Sequence, residues 1–139
     1  MRTLTNKDII KKWKSGELID WRTLTIGEKR EWLLACLFDT GLPTGTITNK
    51  EYSVDGSEIN DSVDLYCLLG QLFFGDKGYF GQDLEGLDDC FVDLKVLPET
   101  RLIIKNHERL ASILNRKIDT YFTMLIDIFE RHGLKIELL

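Results

Sequence analysis

Apolar residues recur at helical spacing through residues 1–40, and each recurrence starts behind a threonine. "TNKD" (5–8) and "TIGE" (25–28) each place Thr at an N-cap position with an acid three residues later, a reciprocal capping pattern. Behind the first, Ile9, Ile10 and Trp13 predict a short helix stopping near Ser15 and Gly16. Behind the second, Trp32, Leu33, Cys36 and Leu37 share one face of a helix that Gly41 ends, with Pro43 just beyond. "GLPTGT" (41–46) then separates this N-terminal piece from the rest.

The period changes after that separator. Tyr52 and Val54 alternate with polar residues and run into the turn signal Asp55–Gly56, which predicts a short strand. Residues 61–74, "DSVDLYCLLGQLFF", read as a mostly buried helix. Gly75, Gly78 and Gly81 mark a loop, after which Asp83 caps a helix over 83–93, with Pro98 beyond its end. "RLIIK" (101–105) reads as a strand. Two helices follow. The clearer one carries Ile118, Tyr121, Phe122, Leu125, Ile126 and Phe129 at helical spacing, has Arg131 and His132 at its C-terminal end, and stops at Gly133. "LKIELL" (134–139) is a last strand. Strands alternating with helices give an α/β fold, a small parallel sheet with helices packed on it.

Composition narrows the class. The chain has 139 residues, 43% hydrophobic and 29% charged, which suits a soluble globular domain with a real core. The longest apolar run, "WLLACLF" (32–38), is too short to cross a bilayer, and the first residues lack a leader-like apolar stretch. A cytoplasmic protein without a membrane partner is expected. Cys36, Cys67 and Cys90 are odd in number, far apart and form no C-x-x-C pair, so reduced, buried thiols are expected and neither a metal site nor a cofactor.

Charge is unevenly placed. The net charge is -5, and residues 76–93 alone hold Asp76, Asp83, Glu85, Asp88, Asp89 and Asp93 against Lys77, an excess as large as that of the whole chain. Direct nucleic-acid binding needs a coherent basic face, so it is disfavoured, and a cationic partner is indicated instead. On a helix from Asp83, Leu84, Leu87, Phe91 and Leu94 share one face, while Glu85, Asp88 and Asp89 share the other with Val92. Three readings follow: a solvated acidic face, a carboxylate pair for hydrolysis, or a surface shaped for a basic protein. "GDKGYFG" (75–81) lacks the G-K-[ST] ending of a phosphate loop, which leaves a magnesium–phosphate site without its usual company. His107 and His132 have no convergent nucleophile and read as surface or capping residues.

The segment "GYFGQDLEGLDDCF" (78–91) resembles the barstar family of ribonuclease inhibitors. Tyr79, Phe80, Gly81, Asp83, Leu84, Glu85, Gly86, Leu87, Asp89 and Cys90 carry the resemblance, which extends over about residues 50–139. It implies a small three-stranded parallel sheet packed with helices in residues 46–139, with residues 1–45 as an N-terminal helical extension. It also implies an inhibitor without chemistry of its own, an immunity protein whose partner is a cognate ribonuclease or nuclease toxin, as in a toxin–antitoxin pair. The implied partner-binding residues are Tyr79 as an aromatic contact, Gly81 for close backbone approach, and Asp83, Glu85, Asp88 and Asp89. Clustered carboxylates suit a nuclease cleft because that cleft is built to hold phosphates. The family often has tryptophan where Asp88 stands, and its second acidic contact falls here on Glu130 or Arg131. The alternatives are an acidic adaptor for another basic protein and a carboxylate-dependent hydrolase. For residues 1–45 a supporting role is expected, because Trp13 and Trp32 lie on helix faces that need covering.

Overall fold

The computed structural model describes residues 3–48 and 51–139 of the chain; residues 49 and 50, at the start of the resemblance, lie outside them. The N-terminal piece is a helix pair, α1 (Asn6–Lys14) and α2 (Ile26–Thr40), joined through a 3-10 turn at Trp21–Thr23. Both helices open with the expected capping box, Thr5 with Asp8 and Thr25 with Glu28, and Gly41 ends α2 at a positive φ of 78°. The start of α1 is tied to α2 by backbone donors. Leu4 N–H donates to Glu28 Oε2 at 3.0 Å, and Asn6 N–H donates to Glu31 Oε1 at 3.0 Å. Trp13 meets Trp32 edge to face, with ring centroids 5.0 Å apart.

Beyond the pair come β1 (Gly45–Ile47), β2 (Glu51–Asp55), α3 (Ser62–Phe74), α4 (Leu84–Cys90), β3 (Leu94–Val96), β4 (Arg101–Lys105), α5 (His107–Leu114), α6 (Tyr121–Arg131) and β5 (Lys135–Leu138). Strands β2, β4 and β5 form the expected three-stranded parallel sheet in the order β2-β4-β5, with Tyr52 opposite Leu102 and Leu102 opposite Ile136. Each crossover between these strands carries helices, as parallel pairing requires. Tyr52, Val54, Leu102 and Ile104 point into the core, where they join Leu69, Phe80, Leu125 and Phe129.

Some details of the expected elements change. The helix expected over 83–93 stops at Cys90, and Leu94, assigned to its apolar face, opens β3 instead. The separator "GLPTGT" contains the start of β1, which pairs in parallel with β3, Gly45 opposite Leu94 and Ile47 opposite Val96. Strands of three residues carry too little alternation to be read from sequence, and this pairing joins segments far apart in the chain. Ile118 lies ahead of α6 and is exposed rather than on its buried stripe. The boundary expected between residues 45 and 46 falls inside β1, and one hydrophobic cluster runs from Ile9 and Trp32 to Phe129.

One buried ion pair ties α2 to α3. Lys29 Nζ lies 2.6 Å from Asp64 Oδ1, with side chains 13% and 3% exposed. The other oxygen, Asp64 Oδ2, accepts from the backbone of Asn60 at 2.9 Å and of Asp61 at 3.3 Å, so the carboxylate is satisfied on both sides. Removing one member of such a pair strands a charge in the interior, whereas removing both does not. Asp64→Ala is therefore expected to lower unfolding free energy by about 3–5 kcal/mol, measured by urea denaturation. The double change Lys29→Met with Asp64→Leu should recover much of that loss. A single-variant loss below about 1 kcal/mol would mean that the pair behaves as a solvated surface bridge.

Candidate functional site

The acidic segment is held by close backbone packing and aromatic contacts. The loop 75–82 leaves the end of α3 and lies flush against it. A Cβ at Gly70 would stand 2.3 Å from Gly78 O, and one at Gly78 would stand 2.3 Å from Gly70 O. Neither position admits a side chain without moving backbone. Gly81 has φ +90° and passes so near α4 that a Cβ would lie 2.6 Å from Leu87 N. Between these glycines Phe80 is fully buried and joins the elements. Its ring lies 5.2 Å from Phe73, 5.1 Å from Phe74 and 5.0 Å from Phe91.

Asp83 caps α4 by accepting from Gly86 N–H at 2.7 Å. A Cβ on Gly86 would come within 3.1 Å of Asp83 Oδ1, so the glycine that weakens the helix interior also leaves room for its cap. Beneath the capped end, the Tyr66 and Tyr121 hydroxyls share a 2.5 Å hydrogen bond. Burial first, then the neighbouring Tyr121 and the Asp83 carboxylate, push the Tyr66 hydroxyl far above its ordinary range. Leu87, Cys90 and Phe91 are buried, and burial, aided by Asp89, pushes the Cys90 thiol up to about 12. Cys36, Cys67 and Cys90 are all free and buried.

The side chains expected to meet a partner divide into three groups. Asp83, Glu85 and Asp89 are exposed, and among the described residues no hydrogen bond or ion pair engages the carboxylates of Glu85 and Asp89. Tyr79 is only 6% exposed, its hydroxyl accepting from Gln82 Nε2 at 3.3 Å, so its ring sits in the core, as does neighbouring Gly81. Asp88 is engaged within the chain, accepting from His132 Nε2 at 2.6 Å. Reading the sequence missed that partner. His132 and Arg131 gave a helix-end signal, and nothing in the spacing announced that the end of α6 meets α4. Glu130 is exposed, while Arg131 pairs with Asp127 at 2.8 Å and comes within 3.9 Å of Asp88 Oδ1.

This arrangement presents free carboxylates on a short, backbone-clamped helix, with exposed Val92 at its far end. General-acid chemistry requires a carboxyl enclosed by apolar groups, and Glu85 and Asp89 stand in solvent. Among the described residues no group of His, Cys, Asp and Glu is placed to hold a metal ion, and no helix is long and apolar enough to cross a membrane.

Comparison with protein families matches residues 49–138 to the family described as barstar (barnase inhibitor). The chain belongs to the barstar family. Neither the curated proteins nor the solved structures gave a match. The barstar match takes in the sheet β2-β4-β5, the glycine-clamped loop and α4, and leaves out α1, α2 and β1. Members of this family inhibit a ribonuclease and are not themselves enzymes.

Gly70→Ala tests whether the loop depends on the glycine contact. The added methyl must push α3 and the loop apart, and overpacking of this kind costs about 1–3 kcal/mol. The expected result is that loss in denaturant unfolding, with faster hydrogen exchange in loop 75–82. An unchanged midpoint would show that the loop shifts freely.

Proposed function

We propose that this chain is an immunity-type inhibitor that binds a basic ribonuclease or nuclease toxin and blocks its active site with the loop 78–82 and α4. The observation that carries this reading is the pair Glu85 and Asp89, one helical turn apart, exposed and unpaired on a helix fixed from behind. A ribonuclease cleft is cationic because it holds phosphates, and two free carboxylates on a rigid support can take phosphate positions there. Such a protein would work where the nuclease threatens the cell that makes it, in the cytoplasm. Asp83 would add a capping carboxylate at the rim, while Gly81 and Tyr79, both buried, would serve the surface by holding the loop against α4. An acidic adaptor for some other basic protein is the alternative, and it has no observation of its own.

The test is titration against barnase, the ribonuclease in the family description, and against any nuclease encoded beside this chain. One-to-one inhibition is expected, with an association rate that falls steeply as salt rises. Asp89→Ala should weaken binding by about 2 kcal/mol or more, the range for a desolvated charge at an interface centre, a range to which the founding inhibitor of this family contributes. Asp93→Ala, beyond the end of α4, should cost no more than about 1 kcal/mol. Equal losses at the two positions would make the segment a diffuse acidic patch, and association indifferent to salt would remove the electrostatic account.

Residues 1–45 act in this reading as support for the inhibitor domain. Trp32, buried against Trp13, provides the measurement. Trp32→Ala is expected to lower unfolding free energy by about 3–5 kcal/mol while the folded protein keeps its nuclease affinity. An unchanged midpoint with lost affinity would assign the extension to recognition.

A further inference from the structure

We propose that His132 is a positioning residue for α4, acting through Asp88 with Arg131 in support, and that Asp88 is a clamp rather than a partner contact. Isolated, α4 would not hold itself. It has seven residues, a glycine inside, and Glu85, Asp88 and Asp89 crowded on it, whereas helices in water need about 12–15 residues to persist. Leu87, Cys90 and Phe91 anchor one side and the Asp83 cap holds the first turn, which leaves the opposite side of the last turn to be held from outside the helix.

The directional contact is at Asp88. His132 Nε2 donates to Asp88 Oδ1 at 2.6 Å, and the imidazole lies flat on Phe91, with centroids 4.3 Å apart and planes 6° from parallel. The ring therefore touches two residues of the same segment, one by hydrogen bond and one by stacking. Its root is fixed, because the His132 backbone N–H closes the end of α6 onto Ile128 and Phe129 carbonyls at 3.3 and 3.2 Å. Arg131 stands 3.9 Å from the same Asp88 oxygen and is steadied by Asp127.

Helical geometry converts that contact into an orientation. At about 100° per residue, Glu85 lies about 60° and Asp89 about 100° around the axis from Asp88, both on the same side. Turning Asp88 onto α6 thus fixes Glu85 and Asp89 together on one flank of α4. The contact also occupies the Asp88 carboxylate, which leaves Glu85 and Asp89 as the unengaged carboxylates within α4 among the described residues.

The proposal rests on the inhibitor reading only in treating that face as the working surface, and its test needs no nuclease. Hydrogen exchange is measured on the full chain for the amides of α4 and, as reference, of β4. His132→Ala and Asp88→Ala should each speed exchange in α4 by about tenfold and leave β4 unchanged, the signature of local opening. The double variant should exchange no faster than His132→Ala alone, because that change already removes the hydrogen bond to Asp88 as well as the stack on Phe91. His132→Gln, which keeps an N–H donor, should restore part of the protection. Unchanged α4 exchange in the single variants, additive effects in the double variant, or equal acceleration in β4 would each overturn the proposal, whatever the nuclease titrations show.

Discussion

Two glycines in backbone contact, Gly70 on α3 and Gly78 in the following loop, set the geometry on which the acidic surface depends. Because neither has a side chain, the loop lies directly on the helix it has just left, and Phe80 enters the core fully buried. Phe80 then meets Phe73, Phe74 and Phe91, so α3, the loop and the end of α4 share one aromatic cluster. Gly81 repeats the device one step later against the backbone of Leu87. Close packing of this kind has little tolerance for added volume, which makes the loop a rigid support rather than a tether.

That support explains how a helix with poor intrinsic stability holds its shape. Like charges and an internal glycine disfavour α4 as an isolated segment. Buried Leu87, Cys90 and Phe91, the Asp83 cap and the Asp88–His132 contact offset those terms from outside the helix. The consequence is a set of free carboxylates held in a fixed arrangement, and pre-ordering of this kind lowers the entropic cost of any association that uses them.

The N-terminal helices extend the same logic behind the site. Family resemblance begins near β2, yet α2 is joined to α3 by Lys29 and Asp64, and the Lys77 ammonium of the loop lies 5.1 Å from the Trp13 ring centroid. Thr40, at the end of α2, donates to the Cys36 carbonyl at 2.7 Å and lies 3.2 Å from the Lys77 carbonyl. The helix pair is thus packed against the back of α3 and reaches the edge of the loop.

Much of this was legible in the residues themselves, because it depends on local chemistry. Thr5 with Asp8 and Thr25 with Glu28 fix helix starts within four residues, Gly41 fixes an end, and Tyr52 with Val54 shows alternation across a pleat. The acidic composition of 76–93 and its apolar face were equally plain. What lay beyond reach was decided by contacts between distant segments. The pairing of β1 with β3 needs partners on either side of α4 and leaves no periodic trace in three residues. The burial of Tyr79 follows from the glycine contacts around it, not from its own neighbourhood in sequence. The engagement of Asp88 depends on where α6 ends, 44 residues further along, and no local propensity encodes that meeting. Sequence placed the charges on one helix; only the tertiary structure decided which of them stay free, because pairing is set by distance in space.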